Sequence, residues 1–274
     1  MAFARNAVYM TGMQWPSLSV ITPSYNQAEF LPRTIESVLS QQYPALEYLV
    51  MDGGSTDGSV AILERYAAAG KLRFVSQKDA GQSDAVNQGF ARTSGELVGW
   101  VNSDDLYAPG ALRAVGEYFA AHPEVEWLFG RCPIVDRDDR PFKPLVTRYK
   151  EFWLRRYSYR WLLVENFISQ PAVFFRRRLL DRVGALDREL HLAMDYHLWL
   201  RMAQVAAPAF LDRELAYFRS SGDNKMSLQW RKSFQEDLDA AARVARAGER
   251  AWIALHRVNG WKNSAAYWLL DRLR

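Results

Sequence analysis

From Leu18 to Ala121 the chain alternates between two hydrophobic periods, and that alternation limits the folds open to it. Leu18-Ser19-Val20-Ile21-Thr22 is a β-branched run stopped by Pro23, which predicts a strand. Phe30, Leu31, Ile35, Val38 and Leu39 recur at helical spacing over 29–40. Leu46–Met51, Leu72–Val75 and Leu97–Val101 predict three more strands. Ser59–Ala69, Asp84–Arg92 and 110–121 predict the helices between and after them. Strands separated by helices predict a parallel sheet covered on both faces. Ligands bind such sheets at the carboxyl ends of the strands. Tyr25, Asp52, Asp79 and the Asp104-Asp105 pair each follow a strand, so all should converge on one edge.

Beyond residue 122 the pattern loosens. Glu126–Val135 holds one strand or two, Ala172–Phe175 another, and Tyr196–Ala203 a helix. Residues 229–258 and 260–274 read as helices broken near Asn259-Gly260. The organisation expected is a domain over 1–228 with a helical extension over 229–274.

Composition removes whole classes. A 274-residue chain that is 49% hydrophobic is too apolar for disorder, and it is long enough for a substantial core. Its single cysteine, Cys132, excludes an internal disulfide and any cysteine-based zinc or iron–sulfur site. No apolar run approaches the ~20 residues that span a bilayer. The first residues carry no signal-peptide pattern, so a cytoplasmic protein is expected. Charge is divided: residues 1–139 carry net −7 and residues 140–182 net +8. Acidic groups suit a metal, and a basic block suits phosphate or an anionic surface, although charge runs also serve as solvated faces. Nucleic acid fits poorly, because the acidic half would repel its backbone.

The usual nucleotide fingerprints are missing, both Gly-x-Gly-x-x-Gly after the first strand and the Gly-Lys-Ser/Thr phosphate loop. Asp52–Gly58 fails as a calcium loop, with Gly54 third and Leu63 twelfth. Asn102-Ser103-Asp104-Asp105 sets two carboxylates side by side at a strand end. Such a pair needs a cation or donors, and its hard oxygens suit Mg²⁺ or Mn²⁺. Capping of the next helix is the alternative use. Asp195 opens an amphipathic helix, either as a helix N-terminal charge or as a general base.

Taken in order, Ser19-Val20-Ile21-Thr22-Pro23-Ser24-Tyr25-Asn26, Val50–Gly58, Asp79–Gly89, Trp100–Asp105, Ser169–Arg176 and Met194-Asp195-Tyr196 resemble the family-two glycosyltransferases. These are inverting enzymes with the GT-A nucleotide-sugar-binding fold: α/β, Rossmann-like, with a mostly parallel central sheet flanked by helices. The resemblance spans roughly residues 17–227. It implies that Pro23 and Tyr25 border the nucleobase and that Asp52 accepts from a base N–H. Asp79 and Asp84 would line the nucleotide pocket. Asp104 and Asp105 would hold Mg²⁺ or Mn²⁺, Asp195 would be the catalytic base, and Gln170 and Pro171 would begin the acceptor side. The implied partners are a nucleoside-diphosphate sugar, by default a UDP-sugar, and a saccharide or lipid-linked acceptor.

Four features depart from or lie outside the family pattern. The metal motif begins with Asn102 rather than a carboxylate. Ser221, a weak metal ligand, stands where many members carry a His two residues after an Arg. His197 stands where a second acid is common. A catalytically silent nucleotide-sugar-binding scaffold is the alternative function. Residues 229–274 are outside the resemblance; their Trp230, Trp252, Trp261 and Trp268 among basic residues suit either an anionic membrane at the inner face or packing on the core or a dimer partner.

Overall fold

The computed structural model describes residues 15–220 and 229–272, with 263–272 as backbone only. Ser221 and the side chain of Trp268 lie outside the described residues. The elements run β1 (Leu18–Ser24), α1 (Leu31–Leu39), β2 (Leu46–Asp52), α2 (Ser59–Ala68), β3 (Arg73–Ser76), α3 (Gln82–Ala91) and β4 (Leu97–Trp100). There follow β5 (Leu106–Tyr107), α4 (Ala111–Ala121), β6 (Trp127–Arg131), β7 (Ile134–Val135), α5 (Pro144–Leu154) and α6 (Tyr159–Leu162). Next come β8 (Val173–Arg176), α7 (Arg177–Val183), α8 (Met194–Val205), β9 (Ala209–Glu214) and β10 (Ala216–Arg219). The C-terminal helices are α9 (Trp230–Val244) and α10 (Arg250–Arg272).

Seven strands form one sheet in the order β3-β2-β1-β4-β8-β6-β9. Only β8 runs antiparallel to its neighbours, so the expected mostly parallel sheet is present. Its two faces bury separate clusters, as a period-two pattern requires. Leu18 and Val20 of β1 join α1, α2 and α4, whereas Ile21 joins α3 and α8. Leu31, Ile35 and Val38 of α1 are fully buried at spacings of four and three. On the opposite face Trp199 stacks on Trp100 with centroids 5.4 Å apart. Gly89 brings α3 down onto β1, because a Cβ there would lie 2.5 Å from Ile21 Cγ2.

The register aligns the strand ends. Ser24 pairs with Asp52, and Asp52 with Ser76, so β1, β2 and β3 finish on one edge. A second, three-stranded sheet in the order β5-β10-β7 stands beside that edge. Its strands β5 and β7 are two residues each; β5 is too short for any periodicity to reveal, whereas β7 is the second strand allowed for within Glu126–Val135.

The C-terminal break falls elsewhere than the glycine predicts. Helix α9 ends at Val244 and Ala245 is extended, with φ −64° and ψ 133°. The Arg246 backbone N–H then donates to Glu249 Oε2 at 2.8 Å, just before α10 starts. Helix α10 continues through Asn259 and Gly260. A helical glycine costs only about 1 kcal/mol relative to alanine. Packing offsets that here: the buried His256 ring is 2.8 Å from the Leu163 carbonyl, and Trp252 meets Trp161 edge-on at 5.7 Å.

Candidate active site

The first part of the site is the pair of loops after β1 and β2. Asp52 is 2% exposed. Its Oδ2 accepts from the Gly54 and Ser55 backbone N–H groups and from Ser76 Oγ, and its Oδ1 from Ser55 Oγ. A carboxylate has about four acceptor positions. Four protein donors therefore make Asp52 the organiser of this loop, and a base N–H would have to share it. Asp79 is the more open acid. A Cβ on Gly53 would lie 2.9 Å from Asp79 Oδ2 and 3.3 Å from Tyr25 Cδ2. Gly53 thus floors a slot between a carboxylate and an aromatic ring that is 62% exposed. Pro23 is buried in β1, opposite Met51. Asp84, in the first turn of α3, accepts from the Ala80 N–H at 3.2 Å and pairs with Arg188 at 2.8 Å. The Ala80 N–H chiefly holds its carboxyl below the usual range.

The second part follows β4. Gln82 of α3 donates to Asn102 Oδ1 at 2.8 Å, and Asn102 Nδ2 donates to Asp105 Oδ2 at 3.2 Å. Asp105 is 1% exposed. Its other oxygen accepts the Arg219 backbone N–H at 2.9 Å. Burial raises its pKa well above the usual carboxylate range and the Asp104 charge adds to this, while the Arg219 N–H opposes both. Helix α4 begins six residues later with Gly110 at its N-cap, so neither aspartate caps it. The Arg219 side chain is fully buried; it donates to the Asp104 carbonyl at 2.5 Å and pairs with Asp139. Among the described residues no group of three or more His, Cys, Asp and Glu side chains surrounds one point. Two carboxylates suffice for a cation that takes its other ligands from water and a diphosphate. A buried acid crowded by a second acid is the donor set such a cation would neutralise, so the residues present fit one.

The third part centres on Asp195 in the first turn of α8. Its Oδ1 accepts the Tyr196 N–H at 2.7 Å. Burial raises its pKa to about 6, against the pull of the Tyr196 N–H and the Lys150 charge. Lys150 of α5 donates to Ser169 Oγ at 3.1 Å. The next residue, Gln170, donates from Nε2 to the Trp100 carbonyl at 2.6 Å, two residues before Asn102. Pro171 is buried beside it. The thiol of Cys132, pushed up by burial, feels both Asp105 and Lys150, so the second and third parts adjoin. His197 points away from Asp195; burial lowers it to about 4, and the charges acting on it are Arg201, Asp187 and Arg243.

Residues 19–184 match the sequence profile described as Glycosyl transferase family 2. The chain belongs to glycosyltransferase family 2. A glycosyltransferase of Mycobacterium tuberculosis is 33% identical over 211 residues, 76% of this chain and 76% of that protein. Chondroitin synthase of Escherichia coli is 26% identical over 196 residues, covering 69% of this chain and 27% of the synthase. The S. aureus TarS 1–349 complex with UDP-GlcNAc superposes with a TM-score of 0.69 at 21% identity, over 87% of this chain and 70% of that one. The Pyrobaculum calidifontis mannosyltransferase PcManGT, in complex with GDP-Man and Mn²⁺, gives 0.68 at 20%, over 95% and 76%. At these identities the two structures establish the GT-A fold.

The family profile ends before the residues that complete the third part of this candidate site. Helix α9 carries Glu236 and Asp237, which sequence reasoning missed. Glu236 Oε2 accepts the N–H groups of His191 and Leu192 at 2.9 and 2.7 Å, fixing the segment that leads into Asp195. Asp237 is 8% exposed and its Oδ1 accepts from Asn166 Nδ2 at 3.3 Å. Burial, then the Asp195 charge, raise its pKa to about 8. The available signal was a helical face: Ser233, Glu236, Asp237, Ala240 and Ala241 are all buried, and their small members permit close approach. For Arg219 the signal was the family's late Arg two residues before the position of Ser221; its hydrogen bonds to the β4 loop come only from the fold.

Proposed function

We propose that this family-2 transferase is an inverting, metal-dependent enzyme. It moves a sugar from a nucleoside diphosphate, a UDP-sugar by default, to a hydroxyl of a saccharide or lipid-linked acceptor. Its place is the assembly of cell-surface polysaccharide or glycolipid. One observation carries the reading: the Tyr25–Asp79 slot and the Asp104-Asp105 loop are linked through Gln82–Asn102, and Lys150, whose charge acts on both Asp195 and Cys132 next to Asp105, ties Asp195 to them.

The base stacks on Tyr25 and hydrogen-bonds at Asp79. Asp104 and Asp105 would hold Mg²⁺ or Mn²⁺. The chemistry supplied by such a cation is Lewis-acid stabilisation of the charge on the leaving phosphate. The acceptor hydroxyl approaches the anomeric carbon from the face opposite the diphosphate, and Asp195 takes its proton. With a pKa of about 6, Asp195 is mostly ionised at pH 7, yet it is a stronger base than an exposed aspartate. General-base assistance of this kind contributes roughly 10²–10⁴-fold. A single displacement inverts the anomeric configuration without a covalent intermediate.

Calorimetry with a panel of nucleoside diphosphates and nucleotide sugars, with and without Mn²⁺, tests the donor side. Nucleotide affinity that rises with Mn²⁺ and is lost in Asp105→Ala supports it; absence of nucleotide binding refutes it. The anomeric configuration of the product, read by NMR, tests inversion.

A further inference from the structure

Ten large apolar side chains are exposed among the described residues, and eight of them lie on α5, α6 and α10. Leu145, Tyr149 and Phe152 form one stripe along α5 at spacings of four and three. Leu255, Val258 and Trp261 form another on the outer side of α10. The stripes are neighbours: Lys262 of α10 lies 5.6 Å from the Tyr149 ring centre, and Asn259 donates to Glu165 at 2.8 Å. Phe152 is 46% exposed and Trp261 69%.

Cations border the stripes. Arg148, Arg156, Arg160, Arg250, Arg257 and Lys262 are all exposed. None of the six makes an ion pair among the described residues. Arg156 instead lies over the Phe152 ring at 4.0 Å. Apolar and aromatic side chains flanked by unneutralised cations match the boundary of an anionic bilayer, where rings enter below the headgroups and cations meet phosphate. A second copy of the chain fits less well, because a two-fold contact would oppose these same cations.

We infer that the joint face of α5, α6 and α10 is a docking surface for an anionic lipid membrane. No helix of the described residues is long and apolar enough to cross one, so the contact is interfacial. This goes beyond the transfer reaction and is tested without it.

The experiment is flotation of the full chain with vesicles of phosphatidylcholine alone, or of phosphatidylcholine mixed with phosphatidylglycerol. Recovery is expected with the anionic vesicles only, falling as salt is raised. The pair Phe152→Ser and Trp261→Ser, and the pair Arg156→Glu and Lys262→Glu, should each lower the partition coefficient by about tenfold or more. Circular dichroism and nucleotide affinity should stay unchanged. Equal recovery on both vesicle types, no recovery on either, or variants that float like the parent would overturn the inference. So would a dimer that these variants dissociate while the parent fails to float. The lipid and salt comparisons on the parent decide the matter even if a variant misfolds.

Discussion

The backbone N–H of Arg219 donates to Oδ1 of Asp105 at 2.9 Å, across 114 positions of sequence. A strand near the end of the described core thereby fixes the carboxylate that follows β4. The Arg219 guanidinium secures the same loop through the Asp104 carbonyl and Asp139. Arg219→Met keeps the N–H but leaves that carbonyl without its guanidinium donor and leaves Asp139 to its pairing with Arg33. Denaturant melts should register a loss of about 2–4 kcal/mol. Calorimetry should register weaker Mn²⁺-dependent nucleotide binding. A loss below about 0.5 kcal/mol would remove Arg219 from this role.

Asp195 must be ionised to accept a proton. The rate should fall tenfold per pH unit below about 6 and level off above it. Lys150→Met removes a charge that favours the ionised form, so the break should move to higher pH. Asp195→Asn should keep nucleotide affinity and lose at least ~10²-fold in rate. Transfer at the parental rate would show that another group is the base.

Asp237 gives a pH dependence of stability with a definite sign. Its carboxyl rises from 3.8 to about 8 on folding, so between those values the folded chain binds more protons than the unfolded one. Any stability this group contributes is complete below 3.8 and is lost as pH climbs toward 8. Asp237→Asn removes that loss. Its stability relative to the parent should grow across this window and exceed about 1 kcal/mol at pH 8. Melting temperatures of both proteins at pH 5 and about pH 8 are the check. A constant difference would contradict the coupling.

Gly53→Ala adds a methyl 2.9 Å from Asp79 Oδ2 and 3.3 Å from the Tyr25 ring. The slot must open, and nucleotide affinity should drop by about tenfold or more while stability changes by less than about 1 kcal/mol. Unchanged calorimetry would mean that the base binds elsewhere.

Periodicity alone located β1 to β4, α1 to α4 and the edge to which their polar loops run, because most of these elements bury a face against a layer the chain itself supplies in sequence. The family blocks, read as text, marked Tyr25, Asp79, Asp104, Asp105 and Asp195. What only the tertiary structure decided was who stands next to them. Asp52, which the family resemblance sets against a base N–H, also organises its own loop through four donors. Asp237 and Glu236, unmarked in the sequence, are brought by the fold to Asp195 and to the segment leading into it. Hydrogen bonding and burial depend on partners brought in from distant sequence, such as Arg219 for Asp105, and no local pattern encodes those distances.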